Sequence, residues 1–164
     1  MKIMRAVIVA AACLLANPAW AADAVQVPKK VPYAEDNDIS DAIKSECKMG
    51  EELAASIKLH SGDAVVLVEG APATDQGRVL DIHIVDAIAG GNAWMGHQKS
   101  TKIRGTLYEN GKKVASFKAR RNSMGGAFGG FKGSCSVLGR TAEKLGEDVS
   151  EWLKAPRDGA ALGD

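Results

Sequence analysis

The residues with most to offer chemically are the cations between Lys99 and Arg140. That stretch holds ten basic residues (Lys99, Lys102, Arg104, Lys112, Lys113, Lys118, Arg120, Arg121, Lys132 and Arg140) against one acid, Glu109. Positions 22–98 carry six basic and thirteen acidic residues, and 141–164 carry three and six. A field of one sign concentrates anions at a surface and speeds their encounter. The residues expected to bind an anionic partner are Lys102, Arg104, Lys112, Lys118, Arg120 and Lys132. The same charges have a plainer use, either as a solvated surface or as a face that the acidic first helix folds over.

Other patterns are weaker. Consecutive backbone N–H groups before a helix start can hold an anion, and GGAFGGFK at 125–132 precedes one. Phe131, however, stands where a nucleotide-binding loop has its lysine. The segment then reads as a close backbone crossing, or as a flap whose Phe128 and Phe131 pack inward. Ser45-Glu46-Cys47-Lys48 matches the serine–lysine pattern of penicillin-binding enzymes without its companion motifs, and neither G-x-S-x-G nor H-E-x-x-H occurs. His60, His83 and His97 are scattered over different elements; Asp81 and His83 share a strand face, but two ligands do not make a metal site. Trp94 beside Gly90-Gly91 is either a core tryptophan or an exposed aromatic edge. No catalytic residue, metal ligand or cofactor is assigned, and the chain is expected not to be an enzyme.

The N-terminal 21 residues have the parts of a secretory signal: Lys2 and Arg5, an apolar run over 6–16, and Ala19-Trp20-Ala21 as a small-x-small cleavage site. Cys13 after three alanines allows a lipoprotein alternative. Cleavage after Ala21 leaves 19 basic and 20 acidic residues, a net charge of −1 that names no partner. No later stretch approaches the roughly 18 apolar residues of a membrane span, so the mature chain is expected to be soluble and periplasmic or secreted. Nucleic acid is not expected there, and no aromatic platform alternates with the charges. The expected partners are an anionic glycolipid, a phospholipid or an envelope protein. After cleavage two cysteines remain, Cys47 and Cys135, most simply one disulfide in an oxidising compartment. A lone catalytic thiol would leave the other cysteine unexplained.

The elements that must position the cations follow from periodicity and turn chemistry. Over 101–121, two alternating segments flank Asn110-Gly111, a strong hairpin signal. A three-residue loop, Glu109-Asn110-Gly111 with Gly111 left-handed at a bulge, pairs Ile103 with Phe117 and Gly105 with Ala115. One face is then Ile103, Gly105, Leu107, Ala115 and Phe117; the other carries Lys102, Arg104, Lys112, Lys118 and Arg120. Residues 22–38 have no sustained period and read as an extended arm, with room for a short strand near 31–33. A helix is expected over 48–59, with 39–46 as its first turns or a strand leading in. Buried apolar residues at 64–68 and alternation over 78–89 predict two strands, and 69–77 a loop. A second amphipathic helix is expected over 136–154, with a frayed tail at 157–164 after Pro156.

The expected fold is one α+β domain over 39–156: an antiparallel sheet of about four strands with two amphipathic helices on one face and one disulfide. The runs GGNAWMG, LYENGKKVASFKARR, GGAFGGFKGSCSVLGR and LGEDVSEWLKAP resemble, in combination, a family of small secreted proteobacterial proteins. That resemblance spans about 65–156 and implies an envelope setting and a cysteine in the Gly-rich segment. It brings no activity, substrate or catalytic residue. The functional expectation is an exported bacterial envelope protein, a non-enzymatic binding module that presents the basic hairpin face to an anionic component. The alternatives are an inhibitor or immunity-type protein using the Trp94 loop, and, less well supported, a secreted hydrolase.

Overall fold

The computed structural model describes residues 24–90, 99–123 and 133–164. The expected signal segment, the Trp94 and His97 connector, and the Gly-rich stretch with Phe128, Phe131 and Lys132 lie outside the described residues. In chain order the elements are β1 (Val25–Pro28), α1 (Asp41–Glu46), α2 (Met49–Ser61), β2 (Val65–Val68), β3 (Arg78–Ala89), β4 (Lys99–Glu109), β5 (Lys112–Ser123), α3 (Ser134–Lys154) and β6 (Ala160–Gly163). The strands form one sheet in the order β2-β1-β3-β4-β5-β6.

The sheet has six strands and not about four, and it is only partly antiparallel. The antiparallel meander β3-β4-β5 is flanked by β1, parallel to β2 and β3, and by β6, parallel to β5. Parallel neighbours need a long crossover, and helices supply it in each case: α1 and α2 follow β1 before both of its partners, β2 and β3, and α3 lies between β5 and β6. The expected arm and tail therefore each contribute a four-residue strand. Strands that short, beside Pro28 and Gly159, show no period to read.

Helices α2 and α3 pack against each other and, as expected, against one sheet face. Leu53, Ile57, Leu138, Leu145 and Val149 meet Val27, Ile82, Ile84, Ile103 and Phe117 in one core. Chain 39–46 forms a separate short helix capped by Ser40, and α2 begins after Cys47. Gly50 lets α2 approach the backbone of Val31, whose N–H donates to the Gly50 carbonyl at 3.2 Å. Cys47 and Cys135 form a disulfide with Cα atoms 5.0 Å apart, joining the α1–α2 junction to the first turn of α3. Such a bond is compatible with an extracytoplasmic location. Among the described residues, no helix is long and apolar enough to cross a membrane.

The helix pair also holds a half-buried acid. The Glu52 carboxylate lies against α3, where a Cβ on Gly139 would come within 2.6 Å of its Oε2. Burial, then Glu143 and Glu51, push the Glu52 carboxyl up. A folded-state pKa above the unfolded one means that the native protein holds this proton more tightly. Ionised Glu52 therefore opposes folding above its folded pKa, and the effect is absent below the unfolded value of about 4.3. We expect Glu52→Gln to raise Tm slightly at pH 7 and the difference to close by about pH 4. An advantage that persists unchanged in acid would contradict this account.

Candidate functional site

The sheet face opposite the helices carries the charges, and the hairpin register decides which ones. Asn110 and Gly111 both adopt positive φ, 48° and 82°, the geometry of a two-residue hairpin turn, with Glu109 opposite Lys112. The ladder then skips Val114, so Leu107 pairs with Ala115, Gly105 with Phe117 and Ile103 with Ala119. This differs from the expected loop and register: the bulge sits at Val114, not at Gly111. The expected pairing is displaced by two residues, which preserves every face after the bulge, since side chains alternate with period two. Ile103, Leu107, Ala115 and Phe117 are buried as expected. Before the bulge the face flips. Lys113, not Lys112, lies along the open face with Ser116 and Lys118; Lys112 is exposed beside the turn.

Lys102, Arg104, Lys118 and Arg120 meet as two directly opposed pairs, Arg104 with Lys118 and Lys102 with Arg120. Like charges opposite one another destabilise a sheet, and carboxylates of the same chain relieve part of this. Asp86, opposite Lys102 on β3, binds its ammonium at 2.7 Å. Asp36 accepts from Arg104 Nη1 and Nη2 at 3.1 and 2.9 Å. That contact holds the Asp36 carboxyl below the usual range and raises the guanidinium. Asp158 accepts from Ser116 at 2.5 Å and pairs with Lys113 at 3.1 Å, and is held low by both. Lys118 and Arg120 are exposed and have no carboxylate partner among the described residues; Arg120 Nε donates only to the Asn122 side chain, at 3.1 Å. Between these cations runs a groove of about 420 Å³ whose apolar side chains on the open face are Val85 and Ala161. A second, of about 490 Å³, runs past Arg104, Thr106, Lys113 and Lys118.

Lys99 and Arg121, also in the basic run, do not join them. Lys99 is 4% exposed, its ammonium donating to Ser134 Oγ at 3.0 Å. Arg121 grips Asp148 of α3 through two hydrogen bonds of 2.7 and 2.8 Å and Asp164 at 3.0 Å, and these pairs raise its pKa. It fastens strand to helix.

Among the described residues, the hydroxyl and imidazole groups that lie near a possible partner show no activated nucleophile. Ser45 directs its hydroxyl to the Asp41 and Ala42 carbonyls, as an ordinary helix serine does. Ser56 Oγ is 3.4 Å from His60 Nδ1, and His60 Nε2 is 3.8 Å from Glu147. The order resembles a triad, but Ser56 donates to the Glu143 carbonyl at 2.7 Å, and His60 Nδ1 lies 2.9 Å from the Ser56 carbonyl. A nitrogen that donates to a carbonyl cannot take the serine proton. His83 and Asp81 share the open face at 3.5 Å. Among the described residues no group of three His, Cys, Asp or Glu side chains is placed to hold a metal ion.

Sequence reading missed Asp36 and Asp86 as occupants of this face. Asp86 was not legible, because strict alternation from Leu80, Ile82 and Ile84 puts it on the core face, and only the register shift between Ile84 and Asp86 turns it to the open side beside Lys102. Nor was Asp36, since it reaches Arg104 across 68 positions from a turn.

No family model matches the chain, and no curated protein is similar to it. Among solved structures it is similar to PelC dodecamers from Paraburkholderia phytofirmans. A point variant of that protein has 19% identity and TM-score 0.45, covering 76% of this chain and 84% of that one. A second PelC structure has 14% identity and TM-score 0.45, covering 76% and 86%. A candidate lipoprotein from Caulobacter crescentus CB15 has 13% identity and TM-score 0.37, covering 68% and 87%. Likeness at these scores carries no functional argument.

Proposed function

We propose that this is an exported bacterial envelope protein and a non-enzymatic binding module, whose open β4–β5 face holds an anionic envelope component. The observation that carries this reading is the pair Lys118 and Arg120, adjacent on one face of β5, exposed, and without a carboxylate partner among the described residues. Their neighbours Lys102 and Arg104 are already paired with Asp86 and Asp36, so the available charge is smaller than the sequence suggests. The disulfide, which persists in oxidising compartments, supports the exported setting.

The test is charge reversal. A basic residue near an anionic surface contributes about 1 kcal/mol, so Lys118→Glu with Arg120→Glu is expected to weaken retention on anionic vesicles or heparin at least about 30-fold. Binding by the unaltered protein should weaken steadily as salt rises. Retention that is unchanged by reversal and insensitive to salt refutes the reading.

A further inference from the structure

The two carboxylates on the basic face differ in how firmly they are held. Asp86 belongs to the sheet: it stands opposite Lys102 in the β3–β4 ladder, and its side chain is 23% exposed. Asp36 comes from a turn outside the ladder, beyond the bridge between Tyr33 and Ile84, and its side chain is 68% exposed. Exposed ion pairs contribute little, about 0–1 kcal/mol, because water competes for both groups. The forked contact of a carboxylate on a guanidinium is also one that a phosphate oxyanion reproduces.

We propose that Asp36 is a built-in competitor: its carboxylate occupies Arg104 at the place that the phosphate of an anionic lipid headgroup takes on binding. This rests on the proposed anion-binding role of the same face. An oxyanion that displaces Asp36 keeps the fork to Arg104 and gains Lys118, directly across the strand pair and without a carboxylate of its own among the described residues. Beside them, the groove lined on the open face by Val85 and Ala161 offers a small apolar surface to the portion of a lipid next to its phosphate. A soluble polyanion could use the cations but not that surface. Asp86 is the contrasting case, for it neutralises Lys102 from within the sheet and remains in place.

The experiment is equilibrium binding of the purified protein to phosphatidylcholine vesicles with and without phosphatidylglycerol, and separately to heparin. Asp36→Asn should lower Kd for the anionic vesicles about two- to fivefold, the range of an exposed ion pair. The gain should vanish when Arg104→Gln is added, with Tm checking that each variant is folded. Unchanged or weaker vesicle binding by Asp36→Asn, while the Lys118 and Arg120 reversals still abolish retention, overturns the competitor and leaves the anion-binding face standing. If the reversals also change nothing, the underlying reading falls with it. A gain on heparin with none on phosphatidylglycerol overturns the lipid as occupant.

Discussion

Replacing Phe117 with alanine should destabilise the domain by about 3–5 kcal/mol, the range for deleting a buried aromatic ring. Phe117 is 2% exposed on the core face of β5 and meets Trp152 of α3 edge-on, with ring centroids 4.8 Å apart and planes at 65°. It lies over Gly105 of β4, where a Cβ would come within 2.5 Å of the ring. The absent side chain at Gly105 is the space the ring fills. Phe117 also stands opposite Ala160, so it joins β4, β6 and α3 at once. Removal leaves a void that three elements would have to collapse into together. Urea unfolding would show it as a lower midpoint with unchanged slope, and Phe117→Leu should lose much less. A loss under about 1 kcal/mol for the alanine variant would mean that the ring is not packed as described.

Opening the disulfide should have a comparable effect by a different route. Cys47 and Cys135 are 88 positions apart, so the bond restricts a large loop of the unfolded chain. Chain-entropy reasoning puts the loss on reduction, or in the double serine variant, at about 4–5 kcal/mol, and native-state adjustments reduce that. Since domains of this size are stable by about 5–15 kcal/mol, the reduced protein should unfold at markedly lower urea. The bond also joins the start of α3 to the α1–α2 junction, so reduction should first raise amide exchange in those turns. Equal urea midpoints with and without reductant would remove the disulfide from the account of stability.

The three long strands and two long helices were legible in the sequence, because each runs through several periods of its own pattern. Ile103, Leu107, Ala115 and Phe117 were assigned to the core despite a register displaced by two residues, for an even displacement leaves faces unchanged. The bulge at Val114 was not legible, and it moved Lys113 onto the open face in place of Lys112. Nor was the burial of Lys99 under the start of α3, since a lysine on an alternating strand reads the same whether its ammonium meets water or Ser134.

The amino-acid order alone determined the local and the covalent: which segments alternate, where the hairpin turns, which residues face the core, and which two cysteines could pair. Those depend on neighbours in the chain or on a count. Tertiary structure alone decided that residues 25–28 and 160–163 complete the sheet in parallel, and which cations remain available. Four-residue strands draw their stability from partners far along the chain. Whether a lysine or arginine is free depends on which distant carboxylate the fold places within about 3 Å of it, as Asp36 reaches Arg104 while Lys118 beside it has none among the described residues.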